Sequence, residues 1–222
     1  VLKGDVFEKV GVNISTVHGK FSEEFRKNIP GTEKDPSFWA SGISVVANMK
    51  NPKTAAAHFN TRYIVTSSKS WFGGGCDLTP AIPEKIETEN FHTGLKRTLD
   101  LHDQKYYPKF KKECDEYFYL KHRKEPRGIG GIFFDYLNND HFEKDLNLIK
   151  DVGQFFANFI ISNTNSKKDL TYDSDDLKKL SHKRSRYVEF NLLHDRGTLF
   201  GLKTGGNIDA ILMSMPPEAR WE

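Results

Sequence analysis

Three side chains able to bind or protonate an anionic ligand occur at every second position of AHFNTRYIVT, residues 57–66. The β-branched and aromatic residues of this segment predict a strand. Because side chains alternate along a strand, His58, Asn60 and Arg62 share one face, while Thr61 points to the other. Imidazole titrates near neutral pH, which makes His58 the best acid/base candidate, with a hydrogen-bonded structural histidine as the alternative.

A glycine-rich segment, WFGGGCDLTP at 71–80, follows this strand and contains Asp77. Glycines allow a backbone to approach a ligand closely. Neither this segment nor GIGG at 128–131 has the spacing of a phosphate-binding loop. Asp77 is therefore a candidate ligand-binding carboxylate, and a turn-capping aspartate is the alternative.

A third candidate is HDRG at 194–197, which we predict to be the turn of a hairpin between strands 186–193 and 198–204. A structural turn would explain the sequence by itself. Asp195 and Arg196 at a strand end could also present a carboxylate and a guanidinium to a ligand, and an arginine fork matches a carboxylate bidentately.

Composition limits the class of protein. The chain has 222 residues and a net charge of +3, with 33 basic and 30 acidic residues, which does not indicate nucleic-acid binding. Phenylalanine occurs 17 times and predicts an aromatic core. Cys76 and Cys114 give neither a disulfide framework nor a zinc site, and no apolar run is long enough to span a membrane.

The order of predicted elements favours a single α+β domain over residues 1–222 with a mainly antiparallel sheet. Strands are predicted around 12–17 and at 38–50, 57–66, 69–75 and 127–137, and helices at 20–29, 87–106, 108–123 and 142–162. Residues 163–176 are predicted to be a polar linker, followed by a short basic helix to Lys183. Asn207 is predicted to cap a last helix.

Long stretches spread over nearly the whole chain resemble the oxygen-dependent coproporphyrinogen III oxidases. They are GDVFEKVGVNISTVHG (4–19), NPKTAAAHFNTRY (51–63), WFGGGCDLTP (71–80), YFYLKHRKEPRGIGGIFFDYL (117–137), RYVEFNLLHDRGTLFGLKTGG (186–206) and ILMSMPPEARWE (211–222). The resemblance implies a sheet flanked by helices on both faces, in a homodimer. It implies oxidative decarboxylation of two propionates of coproporphyrinogen III to vinyl groups, giving protoporphyrinogen IX in heme biosynthesis. Molecular oxygen is the co-substrate, and no organic cofactor is expected.

The resemblance also assigns roles to individual residues. For such a substrate, Arg62 and Arg196 suit the carboxylates, Asp195 or Asp77 can accept pyrrole N–H bonds, and we hypothesise that His58 is the acid/base group. By motif position, further substrate contacts are expected from Ser44, Asn60, Thr61, Gly205, Gly206 and Asn207.

The chain departs from the family pattern at several points. Asn207 stands where many members have arginine, so the guanidinium of those members is absent at this position. His58, His92 and His122 match three of four histidines ascribed to a metal in some bacterial members, but the fourth position is Asn48, so no metal is expected. Family segments before residue 1 and after residue 222 are unmatched.

Two further points stay open. A tetrapyrrole-binding protein without turnover is the alternative function, and a metal-dependent hydrolase ranks lower. A cytoplasmic location is favoured, with mitochondria or plastids as alternatives.

Overall fold

The structure is a computed structural model that describes residues 1–203 and 205–222, apart from the side chain of Phe25. In this part of the chain, five long strands form one antiparallel sheet in the order β1-β2-β3-β4-β7. They are β1 (Phe7–Lys20), β2 (Ser37–Met49), β3 (Ala56–Thr66), β4 (Ser70–Thr79) and β7 (Gly130–Leu137). Two short strands, β5 (Tyr119–Leu120) and β6 (Glu125–Pro126), pair separately. The predicted strands of this sheet are confirmed.

The described residues also form helices, mostly in the second half of the chain. They are α1 (Glu23–Arg26), α2 (Lys85–Asp100), α3 (Tyr106–Tyr117), α4 (Phe142–Lys167), α5 (Ser174–Leu193), α6 (Arg196–Lys203) and α7 (Ile208–Leu212). Asn207 accepts a hydrogen bond from the backbone N–H of Ala210, which confirms the predicted cap of α7. None of the described helices combines the length and the apolar character that crossing a membrane would require.

The main core lies between one face of the sheet and helices α2, α3 and α4. Phe59 of β3 stacks on Phe156 of α4, with ring centroids 5.3 Å apart. Phe110 of α3 packs against Phe134 of β7 at 4.8 Å. We call this the core face of the sheet. Its alternating apolar residues are those that the period-two pattern of the strands predicts to be buried.

The opposite face of the sheet is covered at one end by a second aromatic cluster. Phe133 of β7 points to this side, where Phe118, at the end of α3, and Phe190 of α5 pack around it. Helices therefore lie on both faces of the sheet, as expected. The same face carries His58, Asn60 and Arg62, and we call it the polar face.

Two predicted elements are wrong. Residues 163–176 are not a linker, because α4 continues to Lys167 and α5 begins at Ser174, where Asp173 caps it with hydrogen bonds from the N–H groups of Asp175 and Asp176. Residues 186–193 belong to α5, and residues 196–203 form α6, so no hairpin occurs there.

Burial within α5 explains the second error. The side chains of Leu180, Arg184, Tyr187, Phe190 and Asn191 are buried. Their spacing of three or four positions is that of one helix face, which a short apolar stretch does not distinguish from a strand. The last residue of the predicted hairpin lies outside the described residues.

Candidate active site

His58 and Asp77 face each other on neighbouring strands of the polar face. The register of β3 and β4 pairs the two residues directly, and His58 Nδ1 lies 2.8 Å from Asp77 Oδ1. The carboxylate of Asp77 is 2% exposed, whereas His58 retains 14% exposure. A buried carboxylate that binds one ring nitrogen fixes the orientation of the imidazole and leaves the other nitrogen for chemistry.

Arg127 holds the other oxygen of Asp77. Its Nη2 donates to Asp77 Oδ2 at 2.5 Å, and the guanidinium is 1% exposed. The guanidinium carbon lies 3.9 Å from the ring centroid of Phe118, and Tyr187 and Phe190 also contact it. Stacking of this kind favours a cation in a dry environment.

The charge state of Asp77 follows from these contacts. Burial by itself raises the pKa of the Asp77 carboxyl, but Arg127 and then His58 outweigh burial, so the pKa lies below its ordinary value. Asp77 is therefore an ionised residue with both oxygens occupied. It positions His58, and because only 2% of its side chain is exposed, burial shields it from a ligand.

Asn60 contacts the free nitrogen of His58. Its Nδ2 lies 3.2 Å from His58 Nε2, while its own Oδ1 is buried without a hydrogen-bond partner. In this arrangement, donation from Asn60 requires Nε2 to be unprotonated and places the imidazole proton on Nδ1, facing Asp77. The arrangement resembles a poised general base whose accepting nitrogen is covered by a weak donor.

A second polar cluster lies further along the polar face. Arg62 of β3 binds Asp135 of β7, with Nη2 2.9 Å from Oδ2. Arg196, at the start of α6, reaches the same oxygen at 3.8 Å. The two predicted carboxylate-binding arginines thus converge from different elements. The carboxylate between them was not predicted.

Asp195 caps helix α6. Its Oδ2 accepts bonds from the N–H and the hydroxyl of Thr198, and its Oδ1 accepts from the hydroxyl of Tyr117 at 2.9 Å. The same hydroxyl accepts from the N–H of Arg196 at 3.1 Å. Burial, followed by the nearby Asp195 charge, raises the pKa of Tyr117 to about 12, so the hydroxyl keeps its proton. A carboxylate has about four acceptor positions, and three on Asp195 are filled, which leaves room for one further donor.

Helices α6 and α7 lie over the polar face. The guanidinium of Arg196 contacts the rings of Tyr117 and Phe133 at one end of α6. At the other end, Phe200 packs against Phe38 of β2, with centroids 6.4 Å apart. The segment after α7 returns over β1, where Lys9 Nζ donates to the carbonyl of Met215 at 2.7 Å. Between these ends, Ser44, Asn60 and Arg62 are only partly buried, and we call this partly exposed stretch of the polar face the cleft.

The floor of this cleft consists largely of glycine. The register places six glycines on the polar face, namely Gly11, Gly19, Gly42, Gly73, Gly75 and Gly131. A Cβ at Gly73 would lie 2.7 Å from Asp135 Oδ1 and 2.9 Å from the guanidinium carbon of Arg62. The second cluster can lie flat across β4 only because this position has no side chain.

The remaining predicted contacts are placed differently. Ser44 pairs with Asn60 in the register of β2 and β3 and lies on the polar face, as expected. Thr61 lies on the core face, because it sits between Asn60 and Arg62 on an alternating strand, and is not brought together with them. Gly205 has a left-handed φ of 74°, and with Gly206 and Asn207 it forms the turn that joins α6 and α7.

The other histidines do not join His58. His92 contacts the carbonyl of Ile129 and the hydroxyl of Tyr107. His122 lies between His194 and Glu189.

Asn48 is buried and its Nδ2 has no partner. Over residues 1–203 and 205–222, no group of three or more His, Cys, Asp or Glu side chains has the geometry of a metal site.

Three residues of the site could not be found by spacing alone, namely Arg127, Asp135 and Tyr117. Arg127 precedes β7 and Asp135 lies within it, and their neighbours GIGG and FFDY are visible in the sequence. Only tertiary pairing shows their role.

A cavity of about 870 Å³ lies elsewhere, on the outer side of α3 beside Tyr107, Lys111 and Tyr119. We place the site on the polar face because the acid/base and carboxylate-binding groups converge there.

Comparison with known proteins agrees with the resemblance in the sequence. The family model described as coproporphyrinogen III oxidase matches residues 1–222. Proteins named oxygen-dependent coproporphyrinogen-III oxidase from Rickettsia africae (strain ESF-5), Rickettsia akari (strain Hartford) and Rickettsia bellii (strain OSU 85-389) are 60%, 59% and 58% identical over 221 residues. Each alignment covers 100% of this chain and 79% of the relative. The chain therefore belongs to the coproporphyrinogen III oxidase family.

Proposed function

We propose that this chain oxidatively decarboxylates coproporphyrinogen III to protoporphyrinogen IX, with molecular oxygen as the electron acceptor. For each of two side chains, a propionate, one O₂ and one proton become a vinyl group, CO₂ and H₂O₂. The family match over residues 1–222 supports the activity. The single observation that carries the proposal is that the guanidinium of Arg62 and the carboxylate-oriented imidazole of His58 share one face of the sheet, where the guanidinium of Arg196 meets them from α6.

The geometry supports a distinct role for each cluster. Arg62 and Arg196 would bind a propionate carboxylate, because a guanidinium fork matches its geometry. His58 would remove or donate a proton at the reacting side chain through Nε2, once the Asn60 amide gives way to substrate. Asp77, held ionised by Arg127, would stabilise the imidazolium that forms.

Asp195 is the better candidate for a bond to a pyrrole N–H. Asp77 binds His58 and Arg127 and is only 2% exposed, whereas Asp195 is partly exposed and retains one acceptor position that a ligand can reach. A carboxylate hydrogen-bonded to the ring would raise its electron density. An electron-rich pyrrole can transfer electrons to oxygen directly, and the proposal therefore includes no organic cofactor and no metal.

The test is oxygen consumption with coproporphyrinogen III as substrate, together with chromatographic detection of protoporphyrin after oxidation of the product. We expect turnover by the wild-type chain. His58→Ala and Asp195→Ala should each reduce kcat by about 100-fold or more, since general acid/base groups contribute on that scale. Near-wild-type turnover by both folded variants would refute these roles.

Binding without turnover is the second candidate function. The departure from the family at Asn207 favours it, because Asn207 caps α7 where many members have arginine. A chain that binds coproporphyrin III but consumes no oxygen with the porphyrinogen would support this candidate.

We also propose that the chain forms a homodimer and acts in the cytoplasm. Val12, Ile14 and Trp39 lie together on the part of the core face that no described helix covers, and Ile14 is 76% exposed. An uncovered apolar patch on a sheet is typical of a protein interface. Light scattering should give a dimer for the wild type and a monomer for Ile14→Lys. Fractionation of a native host cell, with recovery in the cytosolic fraction, tests the location.

A further inference from the structure

The carboxylate of Asp135 lies between two arginines of the cleft. Arg62 Nη2 is 2.9 Å from Asp135 Oδ2, and Arg196 Nη2 is 3.8 Å from the same oxygen. Arg62 belongs to the sheet and Arg196 to the helix above it. Asp135 therefore joins the floor of the cleft to its roof.

An irregularity in the backbone of β7 sets the direction of the Asp135 side chain. The pairing of β4 with β7 shifts register between Phe72 and Gly74, and Tyr136, opposite this shift, has a φ of 56°. The N–H of Tyr136 donates to Asp135 Oδ1 at 3.2 Å. A β-bulge commonly redirects a side chain next to a binding site. A left-handed backbone conformation is unfavourable for a residue other than glycine, so the surrounding structure must hold Tyr136 in it.

Charge balance suggests what the arrangement does. Two guanidiniums and one carboxylate have a net charge of +1, so one carboxylate from a ligand would neutralise the cluster. Without Asp135 the pair would have a charge of +2 and would repel itself. Arg196 is 59% exposed and would be free to turn toward solvent.

We propose that Asp135 is a positioning residue that holds Arg62 and Arg196 at one point of the cleft and limits their affinity for a ligand carboxylate. The proposal rests on the proposed function, because the ligand is taken to be a tetrapyrrole propionate. Asp135 thus acts through the two arginines, because it fixes their positions and lowers their affinity for a carboxylate.

The decisive variant is Asp135→Asn, which keeps the shape and removes the charge. Kd for coproporphyrin III, the oxidised and fluorescent tetracarboxylate, should fall about 3- to 10-fold, because a repulsive charge near the ligand is removed. Its kcat for coproporphyrinogen III should fall about 10-fold, because the arginines lose their fixed positions. KM should fall with Kd. A residue that only stabilised the fold would not lower KM and kcat together.

Salt and a conservative variant separate charge from shape. The gain in affinity should be larger at about 10 mM than at about 150 mM salt, since screening weakens exposed charges. Asp135→Glu restores the charge and should return Kd to within about 2-fold of wild type. Asp151→Asn on α4 is the matched control, because Asp151 pairs with His102 at the surface of the helical layer, and its kinetics should equal those of wild type.

The outcomes are distinguishable. Unchanged or weaker coproporphyrin binding by folded Asp135→Asn overturns the proposal, as does the same salt dependence in both proteins. If Asp135→Asn does not fold, Arg196→Gln decides. This variant leaves a neutral Arg62–Asp135 pair and should raise Kd for coproporphyrin III about 10-fold. A change in Kd below about 2-fold refutes the proposed charge balance. A wild type that binds coproporphyrin without turnover overturns the proposed activity but not the role of Asp135. A wild type that does not bind overturns both.

Discussion

Arg127→Met should destabilise the protein more than most single substitutions. Arg127 is fully buried and pairs with buried Asp77, and removing one partner of a buried ion pair costs about 3–5 kcal/mol. Methionine keeps most of the packing volume but loses the stacking on Phe118, Tyr187 and Phe190, worth about 1 kcal/mol. We expect the free energy of unfolding to fall by about 4–6 kcal/mol. The loss in Tm should be about 10 °C or more, since for a chain of this length each kcal/mol corresponds to a few degrees.

The pH dependence of this loss identifies its cause. In the wild type, the pKa of Asp77 lies below its ordinary value of 3.8, so its stabilising contribution is complete above that value and is lost as the pH falls through the folded-state pKa. Without Arg127, burial raises the pKa of Asp77, and proton uptake relieves the penalty as the pH falls. The difference between variant and wild type should therefore be larger at about pH 8 than at about pH 5.

Urea unfolding followed by circular dichroism measures both effects. Asp77→Asn and the double variant Arg127→Met/Asp77→Asn complete a double-mutant cycle. The loss of stability in the double variant should be smaller than the sum of the losses in the two single variants. Arg127→Lys serves as the control that keeps a charge, and we expect an intermediate loss. A loss below about 1 kcal/mol, or an equal loss at both pH values, would refute the reasoning.

Three further outcomes are expected. Tyr117→Phe removes the hydroxyl that joins Asp195 to the N–H of Arg196 and should lower stability by about 1–2 kcal/mol while raising KM, measured by thermal unfolding and steady-state kinetics. Glu189→Gln should make stability depend less on pH below 4.5. In the wild type, hydrogen bonds, chiefly from Arg123, lower the pKa of Glu189 from 4.5 to about 2. The stabilising contribution of Glu189 is therefore complete above pH 4.5 and is lost as the pH falls toward 2. Gly73→Ala should raise KM for coproporphyrinogen III about 10-fold with little change in secondary structure, because the added Cβ would meet Asp135 Oδ1 at 2.7 Å.

The sequence predicts the sheet and its polar face well. Alternation along β3 places His58, Asn60 and Arg62 on one side without any tertiary information, and the register with β4 then brings Asp77 opposite His58. This works because period-two alternation is a local property of an extended chain. The same property places Thr61 on the core face, so its motif position and its place in the strand point to different sides of the sheet.

The pairings that tune the site were beyond the sequence. Arg127 and Asp77 are 50 positions apart, and nothing in either neighbourhood indicates the other. FFDYL has the pattern of an ordinary strand end, and the sequence does not indicate the bulge that directs the Asp135 side chain. Residues 186–193 are predicted to be a strand because Tyr, Val and Phe favour strands locally, while burial against Arg127 and Phe133 favours the helix.

The glycine floor of the cleft has a consequence for selectivity. A surface made of backbone cannot repack, so it offers a flat ligand the same contour whichever substituents the ligand carries. Discrimination must then occur at the perimeter, where Arg62, Asp135 and Arg196 stand on one side and His58 on the other. A macrocycle could turn in its own plane on such a floor without losing its stacking area, and each turn would bring a different edge to the same fixed groups. One rigid site can in this way serve two successive side chains of one substrate.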